Sequence, residues 1–127
     1  MVGIVIVSHS QKLADGVVDL TKIMADGCPI AAAGGMDDGG FGTSYEKIMM
    51  AIEEVHGTDG AIILMDMGSA VMTTEMVLED LGYEDVKMVD CPIAEGAVAA
   101  TVASISGRSL DDVIQEAQSA VHTSKLS

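Results

Sequence analysis

The run Val2-Gly3-Ile4-Val5-Ile6-Val7 passes without a break into Ser8-His9-Ser10, and a helical pattern begins at once. A mostly β-branched run of this kind, with no polar alternation, marks a strand covered on both faces, and such strands belong to parallel sheets whose crossovers are helices. The chain is thereby held to an α/β plan in which His9 lies at the carboxyl end of a strand. Ligands collect at that edge of open parallel sheets. The first turn of the following helix also leaves N–H groups unpaired and carries partial positive charge, which suits an anion.

The helix is predicted from about Ser10, its natural N-cap, to Ala25, with Leu13, Val17, Leu20 and Met24 on one face and Lys12, Asp15, Asp19 and Lys22 turned away. A second strand, Pro29 to Ala33, delivers the chain into the loop Gly34 to Thr43, where five glycines in ten residues permit positive φ or close approach to a ligand. The loop lacks the GxxxxGK[ST] order of a nucleotide-binding loop. Thr43 and Glu46 form a capping box for a helix reaching about His56, with Gly57 as its left-handed stop and His56 as a structural residue of its last turn.

The third strand, Gly60 to Met67, is the most apolar run and is predicted to be central. Asp66 stands at its tip, followed by Gly68 and by Ser69, which can cap the next helix. The first and third strands are expected to be neighbours, so Asp66 comes within reach of the His9 ring. On the helix that follows, Met72, Met76 and Leu81 read as a core-facing stripe closed by Gly82. A fourth strand, Val86 to Asp90, and helices at about Ala94 to Ser106 and Ser109 to Val121 complete the order βαβαβαβαα. The first of these helices is apolar broadly enough to be buried on two sides, one of them a candidate subunit interface, while His122 falls in a polar tail. The expected fold is a single domain over residues 1–127, a three-layer α/β sandwich around a mainly parallel four-stranded sheet.

Six basic against twenty acidic residues give a net charge of −14, which repels nucleic acid and anionic membrane surfaces. No apolar run reaches membrane-spanning length, so no membrane insertion is expected. Cys28 and Cys91 each precede a proline and belong to no CxxC pair; both read as small buried apolar groups in a reducing cytoplasm. Neither a metal-ligand spacing nor a dinucleotide fingerprint is present, so no metal and no cofactor are expected.

Three chemistries remain. A serine hydrolase using Ser8 or Ser69 with His9 and Asp66 is formally available, without the G-x-S-x-G elbow. A regulatory module sensing a phosphometabolite through the same loops needs no covalent step. The third makes His9 itself the nucleophile: Asp66 holds one ring nitrogen, the other attacks a phosphoryl group, and Gly34, Gly35, Thr43, Ser44, Ser69 and the helix N-terminus at Ser10 supply donors to the oxygens.

The motifs V-S-H-S, A-A-A-G-G-M-D-D-G-G-F-G-T-S-Y-E-K-I and D-M-G-S-A-V-M-T-T-E-M, in this order and spacing, resemble the phosphotransferase subunit of the phosphoenolpyruvate-dependent dihydroxyacetone kinase, in the mannose-type enzyme IIA superfamily. The resemblance implies that His9 is phosphorylated by the phosphohistidine of HPr and passes the group to ADP held on the nucleotide-binding kinase subunit. It implies Asp66 as partner of the His9 ring, a phosphate site lined by Gly34, Gly35, Thr43 and Ser69, and a cytoplasmic homodimer. Some members carry fused HPr-like and enzyme I-like domains; here separate HPr is expected to supply the phosphate. Other mannose-type IIA domains pass phosphate to a sugar-transporting subunit, and the G-S-A-V-M-T-T-E-M stretch favours the dihydroxyacetone branch. The phosphorylated ring nitrogen, the strand order and the dimer surface are not fixed by the sequence.

Overall fold

The computed structural model describes residues 1–126. Strands β1 (Gly3–Ser8), β2 (Ile30–Gly34), β3 (Ala61–Met65) and β4 (Val86–Met88) pair in the order β2-β1-β3-β4, every pair parallel. Helices α1 (Gln11–Ala25), α2 (Tyr45–Val55), α3 (Ser69–Leu81), α4 (Ile93–Ile105) and α5 (Leu110–Ser119) connect and follow them, and a 3₁₀ turn covers Ala120–His122. The alternation of side chains along a strand divides the core into two layers. Ile4, Ile6, Ile62 and Leu64 pack beneath α1, α4 and α5, whereas Val5, Val7 and Ile63 pack beneath α2 and α3. All six residues of β1 are buried, as its lack of polar alternation predicts.

Two helices turn a different face inward from the one predicted. In α1 the buried residues are Ala14, Val17, Thr21 and Ala25, while Leu13, Leu20 and Met24 are exposed. Small side chains face α4, whose buried residues Gly96, Ala97, Ala100, Thr101, Ala103 and Ser104 are small as well, so the two helices approach closely and the longer residues are displaced to the flank. In α3 the core residues are Ala70, Thr74 and Val77, and Met72 and Met76 lie in solvent. The two-sided burial expected of α4 is met within the chain, by the sheet and α1 on one side and α5 on the other.

Local signals shift at both ends of α2. Ser44, not Thr43, caps α2, its hydroxyl accepting the Lys47 N–H at 3.2 Å. His56 closes that helix in an extended conformation, and the positive φ falls at Gly60 (+82°) and not at Gly57. The structural role of His56 holds: its Nε2 lies 2.8 Å from Asp85 Oδ1 and its ring stacks on Tyr83. Cys28 is buried, whereas Cys91 is half-buried against Gly96 of α4, its thiol pushed up to about 11 by burial and by the neighbouring Asp90 carboxylate.

Candidate active site

The parallel register pairs Val7 with Met65, so the next residues along, Ser8 and Asp66, emerge side by side at the carboxyl edge of adjacent strands. The Asp66 N–H continues the ladder by donating to the Val7 carbonyl at 3.1 Å. Its carboxylate then faces the turn that leaves β1. One oxygen, Oδ2, accepts from the Ser8 hydroxyl at 2.9 Å and from the His9 N–H at 3.1 Å. The other, Oδ1, lies 3.0 Å from Nδ1 of the His9 ring. Ser8 is fully buried, and its oxygen also accepts the Ser10 N–H at 3.0 Å.

Ser10 caps α1 as predicted, accepting from the Leu13 N–H at 3.2 Å. Ser69 does not cap α3, whose first turn has no side-chain cap; its hydroxyl lies 2.8 Å from Nε2 of His9. Thr43 bonds Thr73 of α3 at 3.1 Å, which ties the glycine-rich loop to that helix. Gly34 ends β2 where a Cβ would come within 2.6 Å of the Ser10 carbonyl oxygen and 2.7 Å of Gln11 Cα, so only glycine allows β2 to lie this close to the start of α1. Gly35 takes a φ of +69° and donates its N–H to the Ser8 carbonyl at 3.0 Å. The structure therefore brings Ser10, Asp66 and Ser69 to His9 directly, sets Gly34 and Gly35 against the first turn of α1, and leaves Thr43 one step away. From the sequence Ser8 is only a candidate hydrolytic nucleophile and Gly42 has no role. Ser8 tethers the carboxylate, and Gly42 donates its N–H to the His9 carbonyl at 2.9 Å.

Burial raises the Asp66 pKa, but the hydrogen bonds from the His9 N–H, the His9 ring and Ser8 outweigh it, so the group is held below its ordinary value. Asp66 is therefore ionised at neutral pH and can only accept hydrogen bonds. A neutral His9 ring must then carry its proton on Nδ1, which presents the Nε2 lone pair to the Ser69 hydroxyl. The ring side chain is 20% exposed and that of Asp66 10%, so the nitrogen is reachable while its partner is shielded.

Two shallow hollows flank His9, and it lines neither. One, of about 470 Å³, is bordered by Ser10, Lys12 and Phe41; the other, of about 300 Å³, by Asp66, Met67 and Cys91. Among the described residues no group of three or more His, Cys, Asp or Glu is placed to hold a metal ion, and no helix is long and apolar enough to cross a membrane.

Residues 3–115 match the EIIA-man family, described as the PTS system fructose IIA component. The phosphoryl donor subunit DhaM of the PEP-dependent dihydroxyacetone kinase of Escherichia coli K12 is 42% identical over 98% of this chain, which spans 28% of that protein's length. The phosphotransferase subunit DhaM of the PTS-dependent dihydroxyacetone kinase of Lactococcus lactis is 33% identical over 90% of this chain and 91% of its own. Among solved structures, a protein of unknown function, EF1359, superposes with a TM-score of 0.79 at 32% identity over 93% of this chain and 94% of that one. The phosphotransferase system component EIIA of Streptococcus agalactiae shares the fold alone, at a TM-score of 0.70 and 18% identity over 96% of this chain and 93% of its own. With the family matched over almost its whole length, the chain belongs to the EIIA-man family and, within it, to the DhaM phosphotransferase subunits.

Proposed function

We propose that His9 accepts a phosphoryl group from phospho-HPr and passes it to ADP bound on the nucleotide-binding subunit of a dihydroxyacetone kinase. The observation that carries this reading is the ring between two fixed partners, Asp66 on Nδ1 and Ser69 on Nε2. The Nε2 lone pair attacks phosphorus, the donor's P–N bond breaks, and its electron pair returns to the donor imidazole. Positive charge arising on the His9 ring is stabilised by Asp66 through the Nδ1 proton. Ser69, relieved of the lone pair, turns its hydroxyl to a phosphoryl oxygen. In the second transfer an oxygen of the ADP β-phosphate attacks phosphorus, and the P–N electron pair returns to Nε2. Gly34, Gly35 and Thr43 shape the surrounding phosphate site, the first two by setting the α1 N-terminus close to β2. Residues 1–127 act in this reading as one phosphocarrier domain, cytoplasmic and homodimeric.

Incubation with phosphoenolpyruvate, enzyme I and HPr is expected to add one acid-labile, base-stable phosphoryl group to the wild type and none to His9→Ala, read by intact mass. The labelled protein is then expected to discharge to ADP-loaded kinase subunit and not to sugar-transport subunits. A wild type that gains no mass overturns the proposal and leaves a non-covalent binding module in its place.

A further inference from the structure

Ser8 joins the ends of three strands to the start of a helix. It closes β1 opposite Gly34 of β2, and its carbonyl accepts the Gly35 N–H at 3.0 Å. Its hydroxyl oxygen accepts the N–H of Ser10, the cap of α1, at 3.0 Å, and its hydroxyl proton goes to Asp66 Oδ2, just beyond β3, at 2.9 Å. The direction of that proton is forced. The Ser10 N–H can only donate, the ionised carboxylate can only accept, and the Ser8 side chain is fully buried between them. A hydroxyl held in this way is closed to a substrate and has no lone role as a nucleophile.

We propose that Ser8 is a positioning residue for phosphoryl transfer at His9, acting through Asp66 by fixing the plane of its carboxylate against the ring. The inference rests on His9 being the phosphoryl acceptor. The torsion that turns an aspartate carboxylate is broad, so its plane is set by its partners. Oδ2 has two, Ser8 and the His9 N–H, while Oδ1 has the His9 ring. The His9 N–H is the longer of the two at 3.1 Å and belongs to the same residue as the ring, so it moves when the turn moves. Of these three donors Ser8 alone stands within a strand, which refers the carboxylate to the β1–β2 pairing and to the cap of α1. Positive charge arising on the ring then meets a carboxylate that is already aligned, and no reorganisation is needed at the moment of transfer.

The test follows transfer from phospho-HPr, labelling by phosphoramidate, which needs no protein docking, and the ¹⁵N shifts of the His9 ring. Ser8→Ala is expected to lower kcat from phospho-HPr and the phosphoramidate rate alike by about tenfold at nearly unchanged KM. Its ring shifts are expected to move from the Nδ1–H form towards those of a mobile imidazole. Ser8→Thr, which keeps the hydroxyl on a strand-favouring residue, is expected to restore both readouts, and Ser8→Cys, close to serine in size with a weaker donor, to fall between. In an Asp66→Asn background the loss from Ser8→Ala is expected to shrink below about twofold, because the group it acts through is gone. Wild-type rates and ring shifts in Ser8→Ala overturn the proposal, and so does a tenfold loss that persists in full beside Asp66→Asn. A lowered urea midpoint with undiminished labelling also overturns it and leaves Ser8 a structural residue. A wild type that takes label from neither source refutes the reading of His9 itself, whereas a labelled wild type matched by Ser8→Ala refutes Ser8 alone.

Discussion

Asp66→Asn lowers the rate at which His9 accepts a phosphoryl group by about 10²- to 10⁴-fold while the fold persists. The amide is nearly the same size as the carboxylate, so the sheet ladder through the Asp66 N–H is retained. The change is in the proton. An amide nitrogen facing Nδ1 makes that ring nitrogen the acceptor and moves the proton to Nε2, where the attacking lone pair should be. The initial rate of labelling by phospho-HPr measures the loss, and ¹⁵N shifts of the His9 ring report the tautomer. Labelling close to the wild-type rate with an unmoved tautomer contradicts the role given to Asp66. The same carboxylate sets a pH dependence. Its pKa is lower folded than unfolded, so its contribution to stability is complete above the unfolded value of about 4 and is lost as pH falls through the folded value. The part of the stability gap between wild type and Asp66→Asn that comes from the carboxylate, read from urea midpoints, is therefore expected to close as pH falls below about 4.

Gly34→Ala is expected to destabilise the protein by about 1–3 kcal/mol and to slow labelling of His9. The added methyl would meet the Ser10 carbonyl, Gln11 Cα and the Ala14 methyl, none of them the flexible end of a side chain. Relief requires β2 to part from the start of α1, which displaces the Ser10 cap and, through it, the turn that carries His9. Gly16→Ala is the matched control, because a Cβ in mid-α1 at that position meets nothing within 4 Å. That substitution is expected to stabilise by about 0.5–1 kcal/mol through helix entropy alone and to leave labelling unchanged. Thermal or urea denaturation distinguishes the two, and equal effects from both would remove the case for close approach at Gly34.

Much of this site was legible because it depends on where strands end. A continuous β-branched run fixed β1 as a buried strand, which placed His9 at its tip, and the apolar run before Asp66 did the same for β3. Pairing of these two strands needed only the topology common to such sheets. Helix faces were less legible, because periodicity weighs residues by hydrophobicity and not by the space available. Ala14, Thr21 and Ala25 are buried for being small, and Leu13, Leu20 and Met24, each one residue earlier on the same period, lie about 100° round the helix. Met72 and Met76 follow the same logic on α3. The cap of α2 was ambiguous between adjacent hydroxyl residues, and tertiary bonds decided it: Thr43 is held by Thr73, which left Ser44 to cap. Ser8 was visible only as a candidate nucleophile, since its bond to Asp66 spans 58 positions that no local pattern reports.

The one-residue correspondence between β1 and β3 also fixes when the site can come into being during folding. Slipping either strand by a single position would invert its side chains between the two core layers, exchanging Ile4 and Ile6 with Val5 and Val7. The same slip would carry Asp66 out of step with Ser8 and His9, so a misaligned sheet has neither an intact core nor a paired imidazole. Nucleophile and carboxylate are in this sense assembled by the all-or-none event that forms the domain. The exchange of the Asp66 amide proton, bonded to Val7 at the carboxyl edge of the two central strands, is thus expected to follow the opening of the whole molecule and not the breathing of a loop.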